Sequence, residues 1–367
     1  MFYRIDAVDT LFFRSPAPFD AELNYEAGSL FPPLPSAYAG ALLGQAGEEK
    51  RAGTVKIGFS GFLLRGGDGG EQIYFPKPLD LAEYEKKLHP MKLRKLEAVS
   101  NYPFSRVLRP EKITAEKTAV KDSYISLSEM QKYLSGNAEP IEQVSLGDYY
   151  TSESNTGIQI NAVSRAVIGG RMYSTKKIRP EGRDGQGASL LFEDSGEGIS
   201  QPSILRMGGE GKLVQARPCR EGYTLPKPGG SENCFKLCLA TPAIFQNGWL
   251  PGWITQEDFT GFYAHRQRRI RVQLICAAVG RLVPAGGFSY SGLRPKPLLY
   301  AVPAGSVYYF KILEGTFADA VTLFHGKCVS DYRDSLGFTY RNRPKFRYCD
   351  RGFGYALVGK FDDLEEK

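Results

Sequence analysis

The residues best placed for chemistry lie in glycine-rich stretches beside charges. "GGDGGE" at 66–71 sets Asp68 and Glu71 among glycines. Paired carboxylates in such a turn could hold two metal ions against a triphosphate. Gly69 stands where the second acid would be, so the stretch reads as a hairpin turn. "GGEG" at 208–211, followed by Lys212, could cradle a phosphate on backbone N–H groups. It lacks the spacing of a P-loop and also reads as a turn. His265 sits in "YAHRQRRIRV" among four arginines. It could act as a general base for RNA cleavage, but it reads as a solvated member of a basic face. His89, His265 and His325 have no metal-ligand spacing to a cysteine pair. There is no Gly-x-Ser-x-Gly elbow and no Walker A pattern. Arg351, Gly352, Phe353 and Gly354 pose the sharpest question. Glycines flanking one aromatic supply a turn, or let backbone approach something bulky and charged.

The non-catalytic constellation is richer. Arg165, Arg171, Tyr173, Lys176, Lys177 and Arg179 follow one another closely, with Arg183 beyond. Cations neutralise phosphates, and an aromatic ring stacks on an unpaired base. The chain is 12% aromatic, so stacking rings are not scarce. Its charge is +7, with a pI near 8.9. The cations cluster at 92–121, 165–183, 266–271 and 341–351, a pattern that suits a polyanionic partner. The ending "FDDLEEK" is acidic.

The 367 residues suit two domains, and 42% hydrophobic residues suffice for real cores. No run of about 18 apolar residues predicts a membrane span. The opening "MFYRIDAVDT" is too charged for a signal peptide. Six scattered cysteines read as reduced thiols of a cytoplasmic protein, and Cys234 and Cys238 as packing groups on one face of a strand.

The elements that must hold these residues can be sketched. Residues 2–9 read as an opening strand. Ser36 is a good N-cap for a helix over 37–43. Residues 56–64 and 72–76 form a hairpin. Residues 81–150 read as a polar insertion with helical stretches such as "EYEKKLHPMKLRKLEAV". Residues 157–194 read as a projecting, basic hairpin. After "LPKPGGSEN", strands are expected over 234–245, 270–281 and 304–312, a helix over 316–326, and a last strand over 353–361. The fold class is therefore α+β, with two ferredoxin-like units packed side by side. The expected boundary divides 1–224 from 225–367.

Seven stretches, in order, carry a resemblance: "DTLFFR" (9–14), "FPPLPSAYAGALLG" (31–44), "GIQINAVSRAVIGGRMYS" (157–174), "LRMGGEG" (205–211), "LATPAIFQNGWLPGW" (239–253), "AAVGRLVPAGGFSYSGLRPKPLLYAVPAGSVYYF" (277–310) and "GFGYALVG" (352–359). The sequence resembles the third subunit of the Cmr complex, the type III-B CRISPR effector, within the RAMP superfamily of RNA-binding proteins. The resemblance implies two ferredoxin-like domains, a thumb hairpin near 157–185 that wedges at the guide–target duplex, and a glycine-rich loop before the last strand. It implies a subunit that is not a nuclease and takes no cofactor or metal. Its role would be to hold the 5′ tag of the CRISPR RNA, with the large polymerase-palm subunit and the backbone subunits as protein partners. The matching stretches add Arg14, Ser36, Arg281, Arg294 and Lys296 to the expected RNA contacts. Two departures limit the carry-over. Leu43 stands where the family often has arginine, and "GGFS" at 286–289 stands where it has "GGWD". Two alternatives remain. One is a RAMP endoribonuclease that processes CRISPR RNA precursors, against which the lack of histidine near 349–359 argues. The other is the equivalent subunit of a Csm-type complex.

Overall fold

A computed structural model describes residues 1–14, 26–46, 55–97, 102–111, 120–137, 139–196, 201–219, 223–225, 228–230, 233–289, 294–331 and 347–361. Along the chain, the elements used below are β1 (Phe2–Ala7), α1 (Pro35–Ala46), β2 (Ile57–Arg65), β3 (Glu71–Pro76), β4 (Leu81–Tyr84), β5 (Lys87–Pro90), β6 (Lys92–Lys95), β7 (Arg106–Arg109), β8 (Ser123–Ser126), α2 (Leu127–Leu134) and β9 (Val144–Ser145). There follow β10 (Thr151–Ile160), β11 (Val167–Arg179), β12 (Gly187–Asp194), β13 (Ser203–Arg206), β14 (Leu213–Pro218), β15 (Cys234–Leu239), β16 (Thr260–His265), β17 (Arg268–Ala278), β18 (Val307–Glu314), α3 (Phe317–Phe324), β19 (Lys327–Cys328) and β20 (Tyr355–Gly359).

The architecture is mostly β with few helices. An eight-stranded antiparallel sheet runs β9-β8-β3-β2-β12-β1-β14-β13, and a six-stranded one runs β16-β17-β18-β15-β20-β19. The two share an internal order. In the first, β1 lies between β12 and β14, with β2 outside β12. In the second, β15 lies between β18 and β20, with β17 outside β18.

One helix covers the outer face of each sheet. Tyr38, Ala39 and Leu42 of α1 pack on Tyr3, Ile5, Phe62 and Phe192. Phe317, Leu323 and Phe324 of α3 pack on Phe235, Leu274 and Phe310. α3 begins in a capping box, with Thr316 and Asp319 exchanging side-chain-to-backbone hydrogen bonds. The inner faces meet each other. Phe59, Leu63, Phe75 and Leu191 of the first sheet join Cys238, Cys276, Val307 and Leu357 of the second in one buried cluster.

A polar knot lies within that junction. The Asp80 carboxylate is 1% exposed and accepts from Tyr133 Oη at 2.8 Å and Tyr309 Oη at 2.5 Å. Lys236 Nζ lies 3.7 Å from Asp80 Oδ2 and 3.4 Å from the centre of the Tyr133 ring. Burial pushes both phenols well above the usual tyrosine value, and Asp80 adds to the rise. Burial lowers Lys236, and Asp80 opposes that shift.

Several expectations need correction. Residues 81–95 are short strands rather than helix. Glu85 and Lys86 take left-handed backbone at the β4–β5 turn, Pro90 has no amide to donate, and Leu81 and Leu88 enter the core. Among the described residues of 81–150, helix α2 and a 3-10 turn at Leu146–Asp148 are what coils. Residues 187–194 do not belong to the projecting hairpin. "GASLLFED" is nearly all buried and forms β12, a central strand. Helix α1 starts at Pro35, so Ser36 lies in its first turn instead of capping it.

Candidate nucleic-acid interface

The expected RNA contacts fall into two groups. The first is the hairpin β10–β11, whose ladder runs from Thr151↔Arg179 to Ile160↔Val167. Its tip is closed by Asn161, whose side-chain oxygen accepts from the Val163 and Ser164 amides at 2.9 and 3.0 Å. Arg165 takes positive φ in this turn and is exposed. Around it Ile158, Ile160 and Val167 are about half exposed, and Val163 is 94% exposed. Alternating apolar residues that find no core are the unusual feature here. Tyr173 lies opposite Gly157, and a β-carbon at 157 would sit 2.4 Å from the Tyr173 ring. The glycine thus lets the ring lie across the hairpin. Lys176 is exposed.

The base of the hairpin is tied down. Lys177 Nζ pairs with Glu210 Oε2 at 2.7 Å. Arg179 pairs with Glu153 and lies 3.4 Å from Asp9 Oδ1. Leu11 exchanges backbone hydrogen bonds with Ile178. Lys177 and Arg179 therefore anchor the hairpin. "GGEG" at 208–211 serves the same end. Gly208 and Gly209 lie against Phe12 and Phe13, where side chains would collide, and Glu210 meets Lys177.

The second group surrounds Phe353. This ring is 2% exposed among Ile244, Ala285 and Ala301, with Leu34, Val283, Leu299 and Tyr348 packed against the same cluster. One aromatic thus gathers four regions. They are the segment entering α1 next to Ser36, the stretch after β15 at Ile244, the ribbon Val283–Ala285 with Leu299–Ala301, and the glycine loop. Ser36 is half-buried; Arg281 and Lys296 flank or extend the ribbon and are exposed. Arg14 is exposed and bridges to Ser29. The side chains of Arg171 and Arg294 lie outside the described residues, as do 341–346 of the fourth basic cluster.

The glycine loop answers its question inside the protein. Arg351, Gly352, Phe353 and Gly354 are all buried. Gly352 has φ +86, and a β-carbon there would lie 2.8 Å from Ile57 Cγ2, 3.1 Å from the Gly58 carbonyl oxygen and 3.1 Å from Pro35 Cβ. Gly354 has φ +78 and would meet the Ser330 backbone nitrogen at 2.8 Å. The close approach is therefore to the chain's own atoms, backbone and side chain together. Arg351 pairs with Ile57 in a parallel bridge, and the Ile57 amide donates to the Asp350 carbonyl at 3.0 Å. The loop rivets the second half to β2 and α1 of the first.

The other candidate chemistry is local. "GGDGGE" is the β2–β3 turn, with Asp68 accepting from the Gly70 amide at 3.1 Å. His265 ends β16 and is exposed. Cys234 and Cys238 are buried on β15, and burial raises the Cys238 thiol. Among the described residues, no three His, Cys, Asp or Glu side chains cluster as metal ligands, and no helix is long and apolar enough to cross a membrane.

No curated protein matches the chain. It is similar to a chain of the cryo-EM structure of the type III-B Cmr-beta bound to cognate target RNA and AMPPnP, state 1. The TM-score is 0.49 and the identity 14%, over 84% of this chain and 86% of that one. The same assembly bound to cognate target RNA gives a TM-score of 0.47 at 14% identity, with the same coverage. The family described as CRISPR-associated protein (Cas_Cmr3) matches residues 3–360, nearly the whole sequence. The chain belongs to the Cas_Cmr3 family of CRISPR-associated proteins.

Proposed function

We propose that this chain is a non-catalytic RNA-binding subunit of a type III-B effector, holding the 5′ tag of the guide RNA and bridging the large polymerase-palm subunit to the backbone subunits. Membership of the Cas_Cmr3 family supports the complex. The shared strand order of the two sheets supports two ferredoxin-like domains, each of which keeps one covering helix.

The observation that carries the RNA reading is the hairpin tip. Ile158, Ile160, Val163 and Val167 are held out in solvent at the end of a ladder whose base is locked by ion pairs. Apolar side chains presented this way act as a wedge between bases, with Arg165 and Lys176 beside them for phosphates. In this reading the hairpin meets the guide–target duplex, and Arg281 and Lys296, outside the Phe353 cluster, meet the tag. The test is RNA retention by the assembled complex. Val163→Asp with Ile160→Asp puts charge on the wedge without touching a core. The variant complex should assemble and lose order in the guide near the tag, read as new ribonuclease sensitivity there. Unchanged protection would remove the hairpin from the RNA path.

A further inference from the structure

We propose that two basic hairpins far apart in sequence, β6–β7 and β16–β17, form a second surface for single-stranded RNA on the inner face of the C-terminal sheet, with Phe262 as its stacking ring. This rests on the reading of the chain as an RNA-binding subunit, and it gives the 81–150 insertion a function.

The insertion is hooked onto the C-terminal half by its own aromatics. Phe104 is 7% exposed, with its ring centre 4.8 Å from that of Phe259. Tyr102 Oη lies 3.6 Å from Cys276 Sγ. Strand β7 packs on β17, and Leu93 and Leu108 join the buried cluster that includes Cys276 and Tyr309. The β6–β7 hairpin therefore covers the stretch of the sheet face around Cys276.

The same face continues uncovered toward the sheet's free edge. Along β17, buried Ile270, Val272 and Leu274 alternate with Arg269, Arg271 and Gln273 on the other side. Gln273 pairs with Lys311, two residues from Tyr309, which fixes which side this is. Phe262 pairs with Arg271 and is 55% exposed. The five steps from Arg271 to Cys276 span roughly 17 Å of strand. A strand of a few nucleotides covers that distance along a basic groove.

The charges need a polyanion. Arg268 pairs with Asp319 at 2.8 Å, Arg271 with Glu314 at 3.3 Å and Lys92 with Glu111 at 2.6 Å. Lys95, Arg109, Arg266, Arg269 and Lys311 have no carboxylate within 4 Å among the described residues. Arg271, paired with Phe262 across the ladder, and Arg269 two residues along thus lie on the same side of the sheet as the exposed ring. Cations along the backbone with an aromatic for the base are the parts of a sequence-tolerant single-strand site.

The experiment uses the purified full chain and a fluorescein-labelled oligouridylate, with anisotropy read across a salt series. Three neutralisations, Lys95→Ala, Arg109→Ala and Arg269→Ala, should together flatten the slope of log K against log salt by about 2, since each phosphate contact on single strands contributes roughly 0.7. Phe262→Ala should weaken binding roughly 5- to 150-fold with the slope unchanged. Arg269→Lys, in place of Arg269→Ala, should restore one third of the lost slope. Arg165→Ala with Lys176→Ala is the control on the β10–β11 hairpin. If only that control weakens binding, the second surface is refuted and the general RNA reading stands. A wild-type chain that does not bind the probe also refutes the second surface, while the hairpin reading keeps its own test in the assembled complex. If the triple variant binds RNA normally but fails to join the complex, the face is a protein interface, which also overturns the proposal.

Discussion

Consider replacing Gly352 by alanine. The residue sits at φ +86, where an L-residue costs about 1–2 kcal/mol more than glycine. Its new methyl would also lie 2.8 Å from Ile57 Cγ2 and 3.1 Å from the Gly58 carbonyl oxygen, both inside the junction of the two halves. Ile57 is 2% exposed and Gly58 offers backbone, so neither yields cheaply. Overpacking of this kind costs about 1–3 kcal/mol. The total is about 2–5 kcal/mol. Gly69 supplies an internal reference. It has φ +83 in the β2–β3 turn, and a β-carbon there meets nothing within 4 Å. Gly69→Ala should therefore lose only the conformational part, about 1–2 kcal/mol. The assay is urea unfolding followed by tryptophan fluorescence. Both tryptophans, Trp249 and Trp253, pack against the C-terminal core and so report the half that the loop helps to fix. Equal losses at 69 and 352 would refute the packing argument. So would a Gly352→Ala chain of wild-type stability that fails to retain RNA, because the close approach at 352 would then be to the ligand.

Other outcomes follow from the same geometry. Arg351→Ala should lower stability, since the residue is 6% exposed and its long stem is packed inside the protein; an unchanged urea midpoint would show that the side chain adds nothing to the backbone bridge with Ile57. Lys236→Met should cost about 3–5 kcal/mol in urea unfolding, because Asp80 would be left buried without its cation, whereas a neutral or stabilised variant would show that the buried pair adds nothing to stability. The raised phenols of Tyr133 and Tyr309 give a pH dependence whose sign is fixed. Their folded values lie above the ordinary value near 10, so their contribution is complete below about pH 10 and is lost as pH climbs toward the folded values. Unfolding free energy should fall above about pH 10, and less steeply in Tyr309→Phe; equal slopes would place the alkaline loss elsewhere. Ile158→Ser with Val163→Ser should change stability by under about 0.5 kcal/mol, since both are exposed; early melting of that variant would make the tip part of a core.

Local pattern made much of this fold legible. Alternation and turn glycines locate β2 and β3, and Thr316 with Asp319 starts α3 where capping chemistry puts it. Three features were hidden for physical reasons. "EYEKKLHPMKLRKL" has helix-forming composition, yet tertiary packing of Leu81, Leu88, Leu93 and Leu108 sets it as paired strands. The RNA contacts expected at 351–354 looked like a phosphate cradle because positive φ and close approach leave the same glycine signature whether the neighbour is ligand or protein. The Asp80, Tyr133, Lys236 and Tyr309 knot, like the contact of the two basic hairpins, joins residues far apart in sequence, with partners of Asp80 from 53 to 229 positions away, which spacing along a chain cannot show. One signal was available for the hairpin tip. "GIQINAVSRAVI" alternates as a strand should but is bounded by charges on both sides, a pattern that suits a paired ribbon without a core.

The central claim concerns where RNA touches this chain. Ultraviolet crosslinking of the assembled effector with its own guide, followed by peptide mapping, reads this directly. Crosslinks are expected within 158–176 and around Arg281 and Lys296, with none at the buried Gly352 and Gly354. Crosslinks confined to 351–354, with the β10–β11 hairpin untouched, would contradict that claim.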